Sequence, residues 1–238
     1  MQIKIVPPAL CAFLLTGALI AAQTEIKPAQ EPHGEVKNAA ASKLEPGVPL
    51  EFSVSGLTQA NADKVKQGLT AMRAQVYVCE GCKHEQATAG KCSPCKLDLK
   101  AAKEPLFLEA VPSFETETIR VTPLAARTLR YSDLEGALRK ESIQIDSAKF
   151  PLAGKARLVL TGGTLENAKA IEKALADAKL FERVKAEYDA ATGEIHVLVH
   201  ASATPPMRAK VISTLEGVGT KAKLSDVVWG PSMTPTKA

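Results

Sequence analysis

The chain has 238 residues and a formal net charge of +4, a length that allows two small domains, each with its own core. So slight a positive balance does not point to nucleic acid. Aromatic residues make up only 4 % of the chain, so its cores have to be built from Ala, Val, Leu and Ile.

Residues 1–22 read as a secretory signal. Lys4 supplies positive charge, an apolar run extends from Ala9 to Ala22, and the small residues Ala21 and Ala22 offer a cleavage site before Gln23. The run is short for a membrane span, so no stable span is expected after cleavage, and the mature protein is expected to be periplasmic or secreted. Cleavage removes Cys11 and leaves an even number of cysteines. Residues 23–48, rich in Ala, Lys, Glu, Pro and Gln, lack a repeating apolar face and read as a disordered linker. His33 within it reads as a solvated residue.

Order is expected from Pro49. Leu50, Phe52 and Val54 alternate with polar neighbours as in a half-buried strand. After Gly56, Thr58 is placed to cap a helix burying Ala62, Val65, Leu69 and Met72. A cysteine-bearing insert at 73–103 follows. Phe107–Val111 and Thr118–Val121 read as strands with Pro112–Glu117 turning between them, Ser132-Asp133-Leu134-Glu135 as a capping box, and Ile143 and Ile145 as the start of a closing strand that ends near Pro151.

The second half is expected to run as a strand at Arg157–Thr161, a turn at Gly162-Gly163, and a helix from Thr164 to Leu180 burying Leu165, Ala168, Ile171 and Leu175. A hairpin of Val184, Ala186 and Tyr188 against Ile195, Val197 and Val199 comes next. Thr204 with Pro205 should begin a second helix, with Val211, Ile212 and Leu215 facing inward and Gly217 ending it, and Val227–Trp229 should close the module as a strand. The order strand, helix, strand, strand, helix, strand thus occurs twice, the split βαβ pattern of ferredoxin-like domains. The expected fold is α+β, with tandem ferredoxin-like (βαββαβ) modules at 49–152, carrying the insert, and 153–230, then a flexible tail at 231–238.

The insert carries the chemistry. Cys79, Cys82, Cys92 and Cys95 form two Cys-x-x-Cys pairs a short loop apart. Two such pairs can complete a tetrahedron of thiolates around one Zn²⁺. Two disulfides are the chief alternative, because an exported chain meets an oxidising space. Haem attachment is a distant third: Cys79-Glu80-Gly81-Cys82-Lys83 and Cys92-Ser93-Pro94-Cys95-Lys96 match only the rare motif in which lysine replaces histidine. His84 lies close to Cys82 and is an alternative ligand, though an exposed loop residue is its simpler reading. His196 and His200 share one strand face with Leu198 between them, which reads as a solvated sheet face. A phosphate loop and a G-x-S-x-G nucleophile motif are both missing from the sequence, so a non-enzymatic protein is expected. A thiol–disulfide oxidoreductase built on Cys79–Cys82 is kept only as a minor alternative.

Two resemblances follow from these residues. The paired modules look like heavy-metal-associated domains, whose G-M-T-C-x-x-C turn carries two metal-transfer cysteines. Here Gly56-Leu57-Thr58-Gln59-Ala60-Asn61-Ala62 and Gly162-Gly163-Thr164-Leu165-Glu166-Asn167-Ala168 fill that turn, with Gln59, Ala62, Leu165 and Ala168 at the cysteine places. Metal-transfer chemistry therefore does not carry over. The segment Tyr77–Leu99 resembles the short heavy-metal-binding domain of copper-handling transporters, Y-x-C-P-M-H-P, a loop, then G-x-C-P-x-C-G-M-x-L. Tyr77, Cys79, Gly90, Cys92, Cys95 and Leu99 match, while Cys82 replaces the histidine, Gly81 and Leu97 replace the methionines, and Lys96 stands for the glycine. Loss of the thioethers weakens a copper(I) reading, and four cysteines favour zinc. The resemblances imply a metal-handling role; with the signal peptide and the cysteine spacing, the expectation is an exported metal-binding protein with one zinc per chain, the alternative being an interaction module for another envelope protein with the insert stapled by disulfides.

Overall fold

The computed structural model describes residues 45–231. The expected signal peptide with Cys11, most of the linker with His33, and the tail beyond Pro231 lie outside the described residues. The described chain is mixed α+β, with four helices and three antiparallel sheets.

The chain opens with β1 (Leu50–Ser55) and α1 (Gln59–Thr70). It then makes the insert strands β2 (Arg73–Val78), β3 (Glu85–Gln86) and β4 (Lys100–Pro105). It returns as β5 (Phe107–Ser113) and β6 (Thr118–Pro123), followed by the short β7 (Leu129–Arg130), α2 (Tyr131–Lys140) and β8 (Gln144–Ile145). The second half is β9 (Lys155–Thr161), α3 (Leu165–Asp177), β10 (Arg183–Asp189), β11 (Glu194–His200), α4 (Arg208–Gly217) and β12 (Lys223–Trp229).

One sheet runs β5-β6-β1-β8, the second β10-β11-β9-β12 with β7 added beyond β12, and the insert forms β3-β2-β4. Apart from β7 and the insert, the first two sheets have the same strand order, and every pairing is antiparallel. The likeness extends to atoms. Gly56 (φ +86°) and Gly162 (φ +78°) both take a left-handed turn that a side chain would strain. The asparagine three places after each capping threonine accepts that threonine's own N–H, Asn61 from Thr58 at 2.7 Å and Asn167 from Thr164 at 3.1 Å.

The cores merge. Phe150, in the connection between the two halves, lies 5.1 Å from Phe52 of β1, 5.0 Å from Tyr131 of α2 and 5.8 Å from Trp229 of β12, centroid to centroid. Buried residues of both halves belong to one apolar cluster, rather than to separate cores. The insert leaves and re-enters the body at neighbouring points, since the Leu106 N–H donates to the Met72 carbonyl at 3.2 Å. Its arms are β2 and β4, paired from Arg73↔Pro105 to Val78↔Lys100.

Several local expectations are corrected. The capping box at Ser132 does not form. The helix begins at Tyr131, and Ser132 gives its N–H (3.1 Å) and its hydroxyl (2.9 Å) to Asp226 of β12. Leu165 is 61 % exposed, because it sits at the first position of α3, ahead of the inward stripe of Ala168, Ile171 and Leu175. Thr204 and Pro205 lie before α4, whose cap is Met207; the chain there bridges Met207 to Pro151 before turning into the helix. The turn after β5 is shorter than expected, as Pro112 and Ser113 still pair with Ile119 and Thr118. The closing strand near Ile145 keeps only two paired residues, after which Asp146 turns the chain by accepting the N–H groups of Ala148 and Lys149. Order also starts before Pro49, because Pro46 bridges Leu124 and Gly47 donates to the Pro123 carbonyl at 2.7 Å.

Candidate metal centre

The insert is a pair of matching knuckles. In the first, the Lys83 N–H donates to the Cys79 carbonyl at 2.8 Å and the Cys79 N–H to the His84 carbonyl at 2.9 Å. In the second, the Lys96 N–H donates to the Cys92 carbonyl at 2.8 Å and the Cys92 N–H to the Leu97 carbonyl at 2.8 Å. Each turn throws its lysine into the left-handed region, Lys83 at φ +58° and Lys96 at φ +60°. Both knuckles thereby aim their cysteines inward.

The four Sγ atoms all lie within 4.8 Å of one another. The nearest approaches run between the knuckles: Cys79–Cys95 at 3.1 Å, Cys82–Cys92 at 3.4 Å and Cys82–Cys95 at 3.6 Å. A disulfide needs about 2.05 Å, so no pair is bonded, and all four are free thiols. Cys79 and Cys92 are buried, Cys82 is half-buried and Cys95 is exposed.

The sulfurs divide a negative charge unevenly. The backbone N–H of Cys82 and then the thiol of Cys95 bring the Cys79 thiol down to about 6. The same contact with Cys79 pushes Cys95 up to about 12. Burial raises Cys92. One thiolate is thus already favoured, and it is surrounded by three further sulfur donors. The donor set fits a tetrahedral, thiolate-bound ion, and its four ligands leave no open position for substrate.

Around the cluster the insert is pinned by polar contacts. Gln86 Oε1 accepts from Ser93 N–H at 3.3 Å and from its hydroxyl at 3.2 Å. Lys100 reaches Glu80 at 2.7 Å and Lys91 reaches Asp98 at 3.2 Å. Leu97 packs so closely over Gly81 that a Cβ there would meet its Cδ1 at 2.9 Å. A longer link ties the insert to the body: Arg127 Nη1 donates to Glu85 Oε2 at 2.6 Å, with the arginine side chain only 2 % exposed.

The other residues singled out in the sequence stay apart from this centre. The His84 ring is not among the clustered ligand atoms. His196 bonds Glu194 at 3.0 Å and His200 lies 3.9 Å from Glu182, so both sit partly buried in local carboxylate contacts instead of on a fully solvated face. At the turns where a metal-transfer pair would stand, Gln59 and Leu165 open the helices α1 and α3. Sequence reasoning missed Arg127 and Asp226, since each acts on a residue more than forty positions away.

No family model, curated protein or solved structure matches the chain.

Proposed function

We propose that the chain is an exported, non-enzymatic metal-binding protein of the heavy-metal-associated type, with one structural zinc held by Cys79, Cys82, Cys92 and Cys95. The observation that carries this reading is the convergence of four free thiols within 4.8 Å. A full set of four sulfur ligands suits a structural rather than a catalytic ion. The zinc would stand in for the apolar core that a segment of this length lacks.

The tandem ferredoxin-like reading of 49–152 and 153–230 draws support from the strand order common to both sheets, β5-β6-β1-β8 and β10-β11-β9-β12. The first module then carries its insert between its first helix and its second strand. Export is supported by the apolar run that ends at Ala21-Ala22. Because the transfer cysteines are replaced by Gln59, Ala62, Leu165 and Ala168, the metal has a holding role, not a shuttling one.

Protein purified without oxygen should carry about one zinc per chain, and its thiols should resist modification until a chelator is added. Two disulfides and no metal in protein taken from its native compartment would overturn this reading in favour of a disulfide-stapled interaction module.

A further inference from the structure

Among the described residues, sheet edges are mostly blunted. β7, β8 and β3 are two residues long. β5 is broken by a bulge at Leu108 and carries Pro112. β4 holds Lys100 and Lys103 and ends in Pro105. Such devices keep edges from pairing with other chains. β10 is different: it is seven residues long, lies at the margin of its sheet and pairs with β11 along its whole length without a bulge or proline.

The Ala186 N–H points away from β11, because it donates to Glu172 Oε2 of α3 at 2.7 Å. By alternation the peptide groups of Val184 and Tyr188 also point outward. The side chains of Arg183, Lys185, Glu187 and Asp189 share the opposite parity and hence one face of the sheet.

The sequence of this strand, Arg183-Val184-Lys185-Ala186-Glu187-Tyr188-Asp189, is complementary to itself when reversed. We propose that β10 is a homodimerisation edge, on which the β10 of a second copy adds antiparallel with Ala186 opposite Ala186. This register sets Arg183 of one copy against Asp189 of the other, and Lys185 against Glu187. Val184 and Tyr188 meet on the helix side. The outward-pointing residues 184, 186 and 188 fall in the hydrogen-bonded pairs, and the charged residues fall in the non-bonded pairs, where side chains approach most closely. A register shifted by two residues sets Lys185 against Lys185 or Glu187 against Glu187 and keeps two opposite-charge pairs in place of four, so charge favours the central alignment. The symmetric contact is closed and stops at two copies.

Room exists for the addition. The groove between α3 and β10 encloses about 740 Å³ and is lined by Leu165, Ala168, Ala176, Val184 and Tyr188 among others. Glu172 guards the edge in the single copy, holding the Ala186 N–H while standing 3.7 Å from Lys185. On pairing it releases that N–H to the Ala186 carbonyl of the other copy. The surface lies outside the cysteine cluster and does not depend on the metal reading.

The test is sedimentation velocity of the full chain between about 1 and 100 µM, the range in which an interface of modest size is read. The wild type should pass from monomer to dimer. Lys185→Glu and Glu187→Lys, each placing like charges opposite one another twice per dimer, should weaken association at least about tenfold. Mixed in equal amounts, the two variants should dimerise again, since each carries the charge the other needs, and the double variant K185E/E187K should dimerise alone. A wild type that stays monomeric throughout, single variants that associate like the wild type, or a mixture that stays monomeric would each overturn the proposal.

Discussion

Lys83 and Lys96 occupy backbone positions that cost a side-chain-bearing residue about 1 kcal/mol relative to glycine, and they do so at equivalent places in the two knuckles. Replacing either by glycine should relieve that strain. The expected outcome is tighter metal retention, by up to about 1 kcal/mol per site, read as a higher chelator concentration needed for release. Asp226 is the opposite case. It is buried and accepts from Ser132 N–H, Ser132 Oγ and Val227 N–H. Asp226→Ala strands those donors and should cost about 1–3 kcal/mol in denaturant unfolding. Asp189 gives a pH signature. The Ala191 N–H holds its carboxyl below the usual value of 3.8. Because the folded value is the lower one, the stabilisation is complete above 3.8 and fades as pH falls through the folded value. Asp189→Asn should flatten that part of the acid-unfolding curve.

At the scale of elements, the insert is held by two independent means, the sulfur cluster and the Arg127–Glu85 pair. Glu85→Ala leaves a guanidinium buried without its counter-charge and should cost about 3 kcal/mol, measured as faster amide exchange in β3 and along the body that carries Arg127. Chelation or Cys92→Ser should abolish exchange protection in the two knuckles, at 79–84 and 92–97, but spare the body, because neither Cys79 nor Cys92 belongs to the shared apolar cluster. Much of this level was readable from sequence. Alternation revealed β1, β10 and β11, and paired cysteine spacing revealed the sulfur cluster. What escaped were features decided at a distance. Ser132 has the local signature of a cap, yet Asp226 supplies its acceptor from ninety-four residues away. Leu165 fits a helical stripe by spacing but starts the helix too early to be covered. β2 also alternates, with Ala74 and Val76 buried. Its partner β4, Lys-Ala-Ala-Lys-Glu-Pro, has no strand propensity, so tertiary pairing alone makes the arm.

Taken whole, the described residues form a single apolar body hinged on Phe150, which touches an aromatic ring from each half. Phe150→Ala should cost about 3–5 kcal/mol and destabilise both sheets together. Trp229 is the chain's one tryptophan and packs on Phe150, so its fluorescence reports the seam directly. Fluorescence and far-ultraviolet dichroism should give one coincident unfolding transition. Two separated transitions would show that the halves keep separate cores after all.

The adjacency of Met72 and Leu106 has a further consequence. A hairpin whose two feet stand side by side can be excised and its stumps rejoined by a few flexible residues, without stretching the frame it leaves. Lengthening such a loop adds little closure entropy, so the same cassette can be transplanted onto any scaffold offering a helix-to-strand gap of similar width.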